Sequence, residues 1–208
     1  MTKRWASSLL TILGLQPSFH AQLRTKKDSP NLRRSFVISL CHAPTTPETL
    51  GALDTTAAFL AVKEGLKKLE ALIHMLDPDF RYAIEVRNRS WFDNKNVYKL
   101  LSDNNICLAW SQLDTIQTPA ELTSDFAYLR FIGDRSIDEK DFGKIQKNRL
   151  RELKRWSDSV HRVRDKAKFV VVAANNHYAG FGPATANSFR KMLGMKEAVW
   201  EEMKQERL

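Results

Sequence analysis

Four apolar runs, "FRYAIEVR" (80–87), "ICLAWSQ" (106–112), "FAYLRFIGD" (126–134) and "KFVVVAANN" (168–176), recur with helix-like segments between them. A strand that is apolar along most of its length must be covered on both faces. Strands that alternate with helices meet that demand in a parallel sheet. The intervening segments fit. "AAFLAVKEGLKKLEALIHMLD" (57–77) places Phe59, Leu60, Leu66, Leu69, Leu72, Ile73 and Leu76 at three- and four-residue spacings, which is an amphipathic helix closed by Asp77-Pro78. "DNKNVYKLLSDNN" (93–105), with Asp93 as N-cap, and "KNRLRELKRWSDSVHRVRDKA" (147–167) are the next helices. "ATANSFRKMLG" (184–194), ended by Gly194, and "KEAVWEEMKQERL" (196–208) follow.

The expected fold class is therefore α/β, as an open doubly wound sheet or a barrel. No GxGxxG follows a strand and no GxxxxGK[ST] occurs, so dinucleotide and P-loop readings have no motif behind them. Residues 1–56 form an atypical segment with little periodicity. "TKKDSPNLRRS" there is a charged loop and "FVISL" (36–40) a short strand. Residues 57–208 carry the regular pattern.

A chain of 208 residues with 43% hydrophobic content can bury one core. Cys41 and Cys107 stand far apart, which supports neither a disulfide framework nor a zinc site and fits a reducing, cytoplasmic setting. The net charge of +9 invites a nucleic-acid reading, but residues 1–40 hold seven Lys or Arg against one acid and so supply +6 of it. The N-terminal apolar stretch is interrupted by serines and lacks a small-x-small cleavage site, so it is not read as an export signal. No apolar run reaches the ~20 residues that span a bilayer, so no membrane partner is expected.

In a parallel architecture the working face lies at the carboxyl ends of the strands. The first such end carries Glu85 and Arg87, which share one face of the strand while Ile84 and Val86 share the other, and then Ser90 and Trp91. The next ends carry Gln112 with Asp114, then Arg130 with Asp134 and Arg135, and finally Asn175, Asn176, His177 and Tyr178. Glu85 is the candidate acid or base, paired with Arg87 or Arg130, with His177 the second catalytic candidate. Arg87, Ser90, Trp91, Asp114, Arg130, Asn175, Asn176 and Tyr178 are the candidate substrate-binding groups. Gly180 and Gly182 would let backbone approach a ligand closely. Glu85, Asp114 and His177 are metal-ligand types, but no HExxH, HxH or DxD cluster occurs, so no metal site is expected and no cofactor is indicated.

These segments in this order resemble the YecE-like family, domain of unknown function 72. "FRYAIEVRNRSWF" is similar to its Glu-x-Arg-then-Ser-Trp strand, "YLRFIGDR" to its strand ending in Arg before Gly, and "VVVAANNHYAGFGPATANSFRKMLG" to its Asn-Asn signature. The resemblance covers about Lys63 to Met195. It implies a TIM-like barrel of parallel strands with outer helices, and it points to Glu85, Arg87, Ser90, Trp91, Arg130, Asn175 and Asn176 as the site. It brings no established reaction. The family's Gly-Thr-Ser-Gly-Trp first strand has no counterpart in residues 1–56, so an incomplete barrel with its first strands missing or replaced is expected.

Three functions follow as expectations. The first is binding of, or action on, a phosphorylated or polyhydroxylated small molecule at the strand ends. The second is nucleic-acid binding or processing, carried by basic charge and aromatics. The third is a non-catalytic barrel fragment.

Overall fold

The apolar runs fold as parallel strands and the segments between them as helices. The computed structural model describes residues 9–15, 35–39, 62–78, 80–113, 116–133 and 136–198, with the backbone alone described for the first two stretches. The chain forms two units, Met1–His20 with Arg130–Leu208, and Ala21–Leu129. Among the described residues the strands fall into two sheets, of four and three strands, and close no barrel.

The first two strands among the described residues are β1 (Leu9–Leu15) and β2 (Ser35–Ser39), and in the Ala21–Leu129 unit β2 runs parallel to β3 (Arg81–Glu85), with Ser39 opposite Glu85. β3 in turn runs parallel to β4 (Cys107–Leu108), with Ile84 opposite Leu108. Helix α1 (Val62–Met75) supplies Leu69, Leu72 and Ile73, and α2 (Lys95–Asp103) supplies Val97 and Leu101, to an apolar cluster that also holds Ile84 and Val86. The charged neighbours Lys67, Lys68 and Glu70 face solvent, as a helix with one apolar stripe requires.

The run 106–112 is not one strand. It breaks at Ala109, whose N–H donates to the Ile84 carbonyl at 2.9 Å, and resumes as β5 (Trp110–Gln112) in the other sheet beside β6 (Phe126–Phe131). Arg81 holds Asp125 through two bonds, Nε to Oδ1 at 2.9 Å and Nη2 to Oδ2 at 2.8 Å, tying the start of β3 to the start of β6. The N-cap of α2 is Asn94 and not Asp93: the Asn94 Oδ1 accepts from the Asn96 N–H at 2.9 Å, so the helix starts one residue later than the sequence pattern suggested.

Cys107, in β4, is buried, and desolvation pushes its thiol pKa up to about 12, so it stays a neutral small hydrophobe. Cys41 lies outside the described residues.

In the other unit, β1 (Leu9–Leu15), a strand the sequence pattern did not suggest, runs parallel to β7 (Phe169–Asn175) over its whole length, from Leu9 opposite Phe169 to Leu15 opposite Asn175. Helix α3 (Leu150–Val163) buries Leu153, Trp156, Val160 and Val163, and the Ser157 hydroxyl donates to the Met192 carbonyl at 3.3 Å.

Beyond β7 comes a helical turn, α4 (Asn176–Ala179), followed by α5 (Gly182–Met192) with Pro183 in its first turn. Gly180 joins them at φ +105°, and a Cβ there would stand 2.3 Å from the Lys144 carbonyl oxygen. That left-handed φ and that contact both exclude a side chain. Gly194, at φ +72°, ends α5 as expected. The helix anticipated from Lys196 does not form over 196–198, because Asn187 takes both backbone groups of Ala198, each at 3.0 Å; residues 199–208 lie outside the described residues.

Two substitutions on α3 test which face is core. Trp156, 1% exposed, should cost about 3–5 kcal/mol as Trp156→Ala in urea unfolding. Leu150→Ala, at a position 53% exposed, should fall within about 0.5 kcal/mol of the parent. Gly180→Ala should lower stability by more than the ~1 kcal/mol of a simple Gly-to-Ala backbone effect, read by the same unfolding measurement.

Candidate functional site

Alternation along β3 sorts its last residues into two environments. Ile84 and Val86 point into the apolar cluster. Glu85 points the other way and has no exposed surface, so its charge must be met inside the protein. Arg87, two residues on and on the same face, meets it: the Arg87 Nη2 lies 2.9 Å from Oε1, and Nε donates to the same oxygen at 3.0 Å. The Ser111 hydroxyl on β5 donates to the other oxygen, Oε2, at 3.1 Å. The Arg87 side chain remains 27% exposed, so the buried carboxylate anchors a guanidinium that reaches solvent.

The following turn is built around its own backbone. Asn88 accepts from the Ser90 N–H at 3.0 Å and caps a short 3-10 turn, Arg89–Trp91. The Ser90 Oγ accepts from the Val62 N–H at 3.1 Å, joining the turn to the start of α1. Trp91 has no exposed surface and packs in the apolar cluster. Its indole is therefore a core group, which corrects its place among the candidate substrate-binding groups. Asp114 lies outside the described residues.

The second group of candidates lies in the other unit, at the end of β7. Asn175 accepts from the His177 N–H at 2.9 Å and so caps α4. Asn176, buried, accepts from the Gly182 N–H at 2.8 Å, and its carbonyl accepts from the Gly180 N–H at 2.7 Å. The Asn pair thus shapes the passage from strand to helix. The close backbone approach at the glycines is of the chain to itself: a Cβ on Gly182 would stand 2.6 Å from the Ala174 carbonyl oxygen.

The His177 ring packs edge-on to Phe142 at 4.9 Å, its Nε2 lies 3.7 Å from the Glu139 Oε1, and its Nδ1 is buried without a hydrogen-bond partner among the described residues. Tyr178 stacks on Phe131 at 4.9 Å, beneath the Arg149 guanidinium, 5.2 Å from its ring centroid. Its hydroxyl is likewise buried and unpartnered among the described residues, and burial pushes its pKa up, so it stays a neutral phenol. Arg130 sits half-buried near the end of β6.

Ser111, Glu139, Phe142 and Arg149 were not singled out from sequence. Ser111 left a usable trace, as a hydroxyl in an otherwise apolar run. The others lie in segments with no strand-end signal and are brought to His177 and Tyr178 only by folding. Among the described residues no three His, Cys, Asp or Glu side chains converge as a metal site would need, and no helix is long and apolar enough to cross a membrane.

Comparison with known proteins bears on this arrangement. The chain is similar to a DUF72 family protein of Enterococcus faecalis V583, in a structure at 2.52 Å, with a TM-score of 0.55 and 22% identity over 78% of this chain and 61% of that one. A second structure of the same protein, at 3.10 Å, gives a TM-score of 0.50 and 24% identity over 65% of this chain and 55% of that one. A DUF72 family protein of Thermotoga maritima MSB8 gives a TM-score of 0.50 and 21% identity over 77% of this chain and 58% of that one. The chain therefore spans less than two thirds of the length of each structure it matches. No curated protein matches it. The family model "Protein of unknown function DUF72" matches residues 51–207, well over half of the chain. By that match, the chain belongs to the DUF72 family.

Proposed function

We propose that this chain, built on the plan of an incomplete TIM-like barrel and working in the reducing cytoplasm, binds a phosphorylated or polyhydroxylated small molecule at the carboxyl ends of its strands. One observation carries the reading: at the end of β3 a fully buried carboxylate holds a partly exposed arginine. Keeping a charge inside a protein is costly unless it is paired, and replacing such a pair with apolar groups is often neutral or stabilising. A pair whose outer member reaches solvent at the working end of a parallel strand has a use beyond architecture.

In this reading Glu85 acts by position. With Oε1 taken by Arg87 and Oε2 by Ser111, it fixes the guanidinium, whose planar fork carries five N–H donors, only two of them directed at Oε1. The remaining donors suit phosphate or vicinal hydroxyl oxygens, as arginine suits planar bidentate recognition. The Ser90 hydroxyl, whose oxygen is already an acceptor, has a proton to offer the same ligand. In the other unit Asn175 and Asn176 shape the β7–α5 turn, and with His177, Tyr178 and Arg130 they stand as a second group of candidates with a ligand-binding role of its own, while Asp114 stays a candidate from the sequence alone.

Thermal unfolding of the full chain with inorganic phosphate, sugar phosphates and neutral sugars tests this. A ligand at about 100 times its Kd stabilises by about 2.7 kcal/mol, and the melting temperature should rise by several degrees for one of these classes. Arg87→Gln should remove that rise and Arg87→Lys should retain only part of it. An equal rise in Arg87→Gln, or no rise with any of these compounds, would contradict the proposal.

A further inference from the structure

Outside residues 1–40, positive charge is concentrated in one segment that the β3 site does not use. Residues 144–168 contain ten Lys or Arg and three acids, a net of +7, against +9 for the whole chain. Residues 1–40 contribute +6, so everything outside these two segments is net acidic. The centre of the basic segment is α3, and its buried residues show which way it faces. Leu153, Trp156, Val160 and Val163 turn inward, and the Ser157 hydroxyl bonds to α5.

The opposite face is solvent-exposed and carries Arg151, Lys154, Arg155 and Arg162, with exposed Lys166 and Lys168 just beyond the helix. Positions 151, 155 and 162 fall within about 40° of one another at 100° per residue and extend over about 16 Å at 1.5 Å per residue. The three acids of the segment leave its net charge strongly positive. Asp158 lies within it but is bound by Lys154, and Asp165 lies beside Arg164 at 3.7 Å. Glu152 is turned to Arg149 at 3.4 Å.

From this charge complementarity we infer that the outer face of α3 docks the phosphate backbone of a nucleic acid. A linear polyanion is the partner that a straight row of arginines fits. A duplex presents a phosphate on each strand every 3.4 Å of axis, so a row of about 16 Å covers several of them, and neutralising each releases counterions. The contacts are to backbone, so the docking is independent of base sequence. None of these residues belongs to the β3 site, and the inference stands whether or not Arg87 binds a small anion.

The experiment is fluorescence anisotropy of the full chain with a labelled 20-base-pair duplex across a series of KCl concentrations, with heparin and with vesicles of 30% phosphatidylserine as the competing polyanions. The variant is Arg151→Glu/Arg155→Glu/Arg162→Glu, on an exposed face, with its melt recorded beside the parent's. A second variant reverses Arg24, Arg33 and Arg34 of the other basic segment. The α3 variant should melt as the parent does, bind at least tenfold more weakly at 150 mM KCl, and flatten the slope of log K against log salt by about 2.7, the value for three lost phosphate contacts. The Arg24/Arg33/Arg34 variant should keep the larger part of the affinity. An unchanged affinity in the α3 variant, a loss confined to the other variant, or binding to vesicles or heparin alone would overturn the inference. If the α3 variant melts lower, single reversals at Arg151 and at Arg162 replace it, and each should flatten the slope by about 0.9.

Discussion

A carboxylate without exposed surface has to be answered from within the protein, and Glu85 is such a group. Its two oxygens draw in two elements. Arg87 comes from the chain just beyond β3, and Ser111 comes from β5. Much of the Ala21–Leu129 unit is consistent with this demand. Ile84 in β3 and Val86 just beyond it lie on the face that α1 and α2 cover, which leaves the other face for the ion pair. The break at Ala109 ends the pairing with β3 and lets β5 resume beside β6, with Ser111 in it. Arg81 and Asp125 pair at the opposite end of β3, so charged groups hold the strand at both of its ends.

The other unit meets its polar demands mainly with backbone. At the end of β7, asparagine side chains cap α4 and accept from Gly182, and Gly180 permits an approach that no Cβ would tolerate. His177 and Tyr178 then sit in a wall of aromatic and basic groups made by Phe131, Phe142 and Arg149. Each keeps a buried polar atom unpartnered among the described residues, a cost that a native structure carries in only a few places. The chain's charge follows the same division of labour, with a basic outer face on α3 above a core of Leu153, Trp156 and Val160.

The sequence reveals those features that depend on periodicity. The positions of β3, β6, β7, α1, α2, α3 and α5 follow from runs and spacings, and the shared face of Glu85 and Arg87 follows from their separation by two on a strand, although the sequence leaves the partner of Glu85 open between Arg87 and Arg130. Features that depend on a distant partner stay hidden. β1 is a strand because β7 offers it an edge, and "LLTILGL" carries no alternation that distinguishes it from an apolar leader. Ala198 leaves the helical state because Asn187, eleven residues away, binds it. Trp91 follows a strand end and so counts among the candidate ligand-binding groups, whereas packing in the apolar cluster decides its role. The family resemblance read from three motifs agrees with the match over residues 51–207, and these residues together carry what single motifs could not.

A double-mutant cycle on Glu85 and Arg87, read by urea unfolding of the full chain, bears most directly on the buried pair as the organising interaction. Arg87→Met removes this charged partner from the buried Glu85 carboxylate and should cost about 3–5 kcal/mol. Glu85→Gln with Arg87→Met should recover a large part of that loss, giving a coupling of at least about 1 kcal/mol. Additive effects, with each single change costing less than about 0.5 kcal/mol, would mean that the pair is an incidental contact and that Arg87 is not held by Glu85.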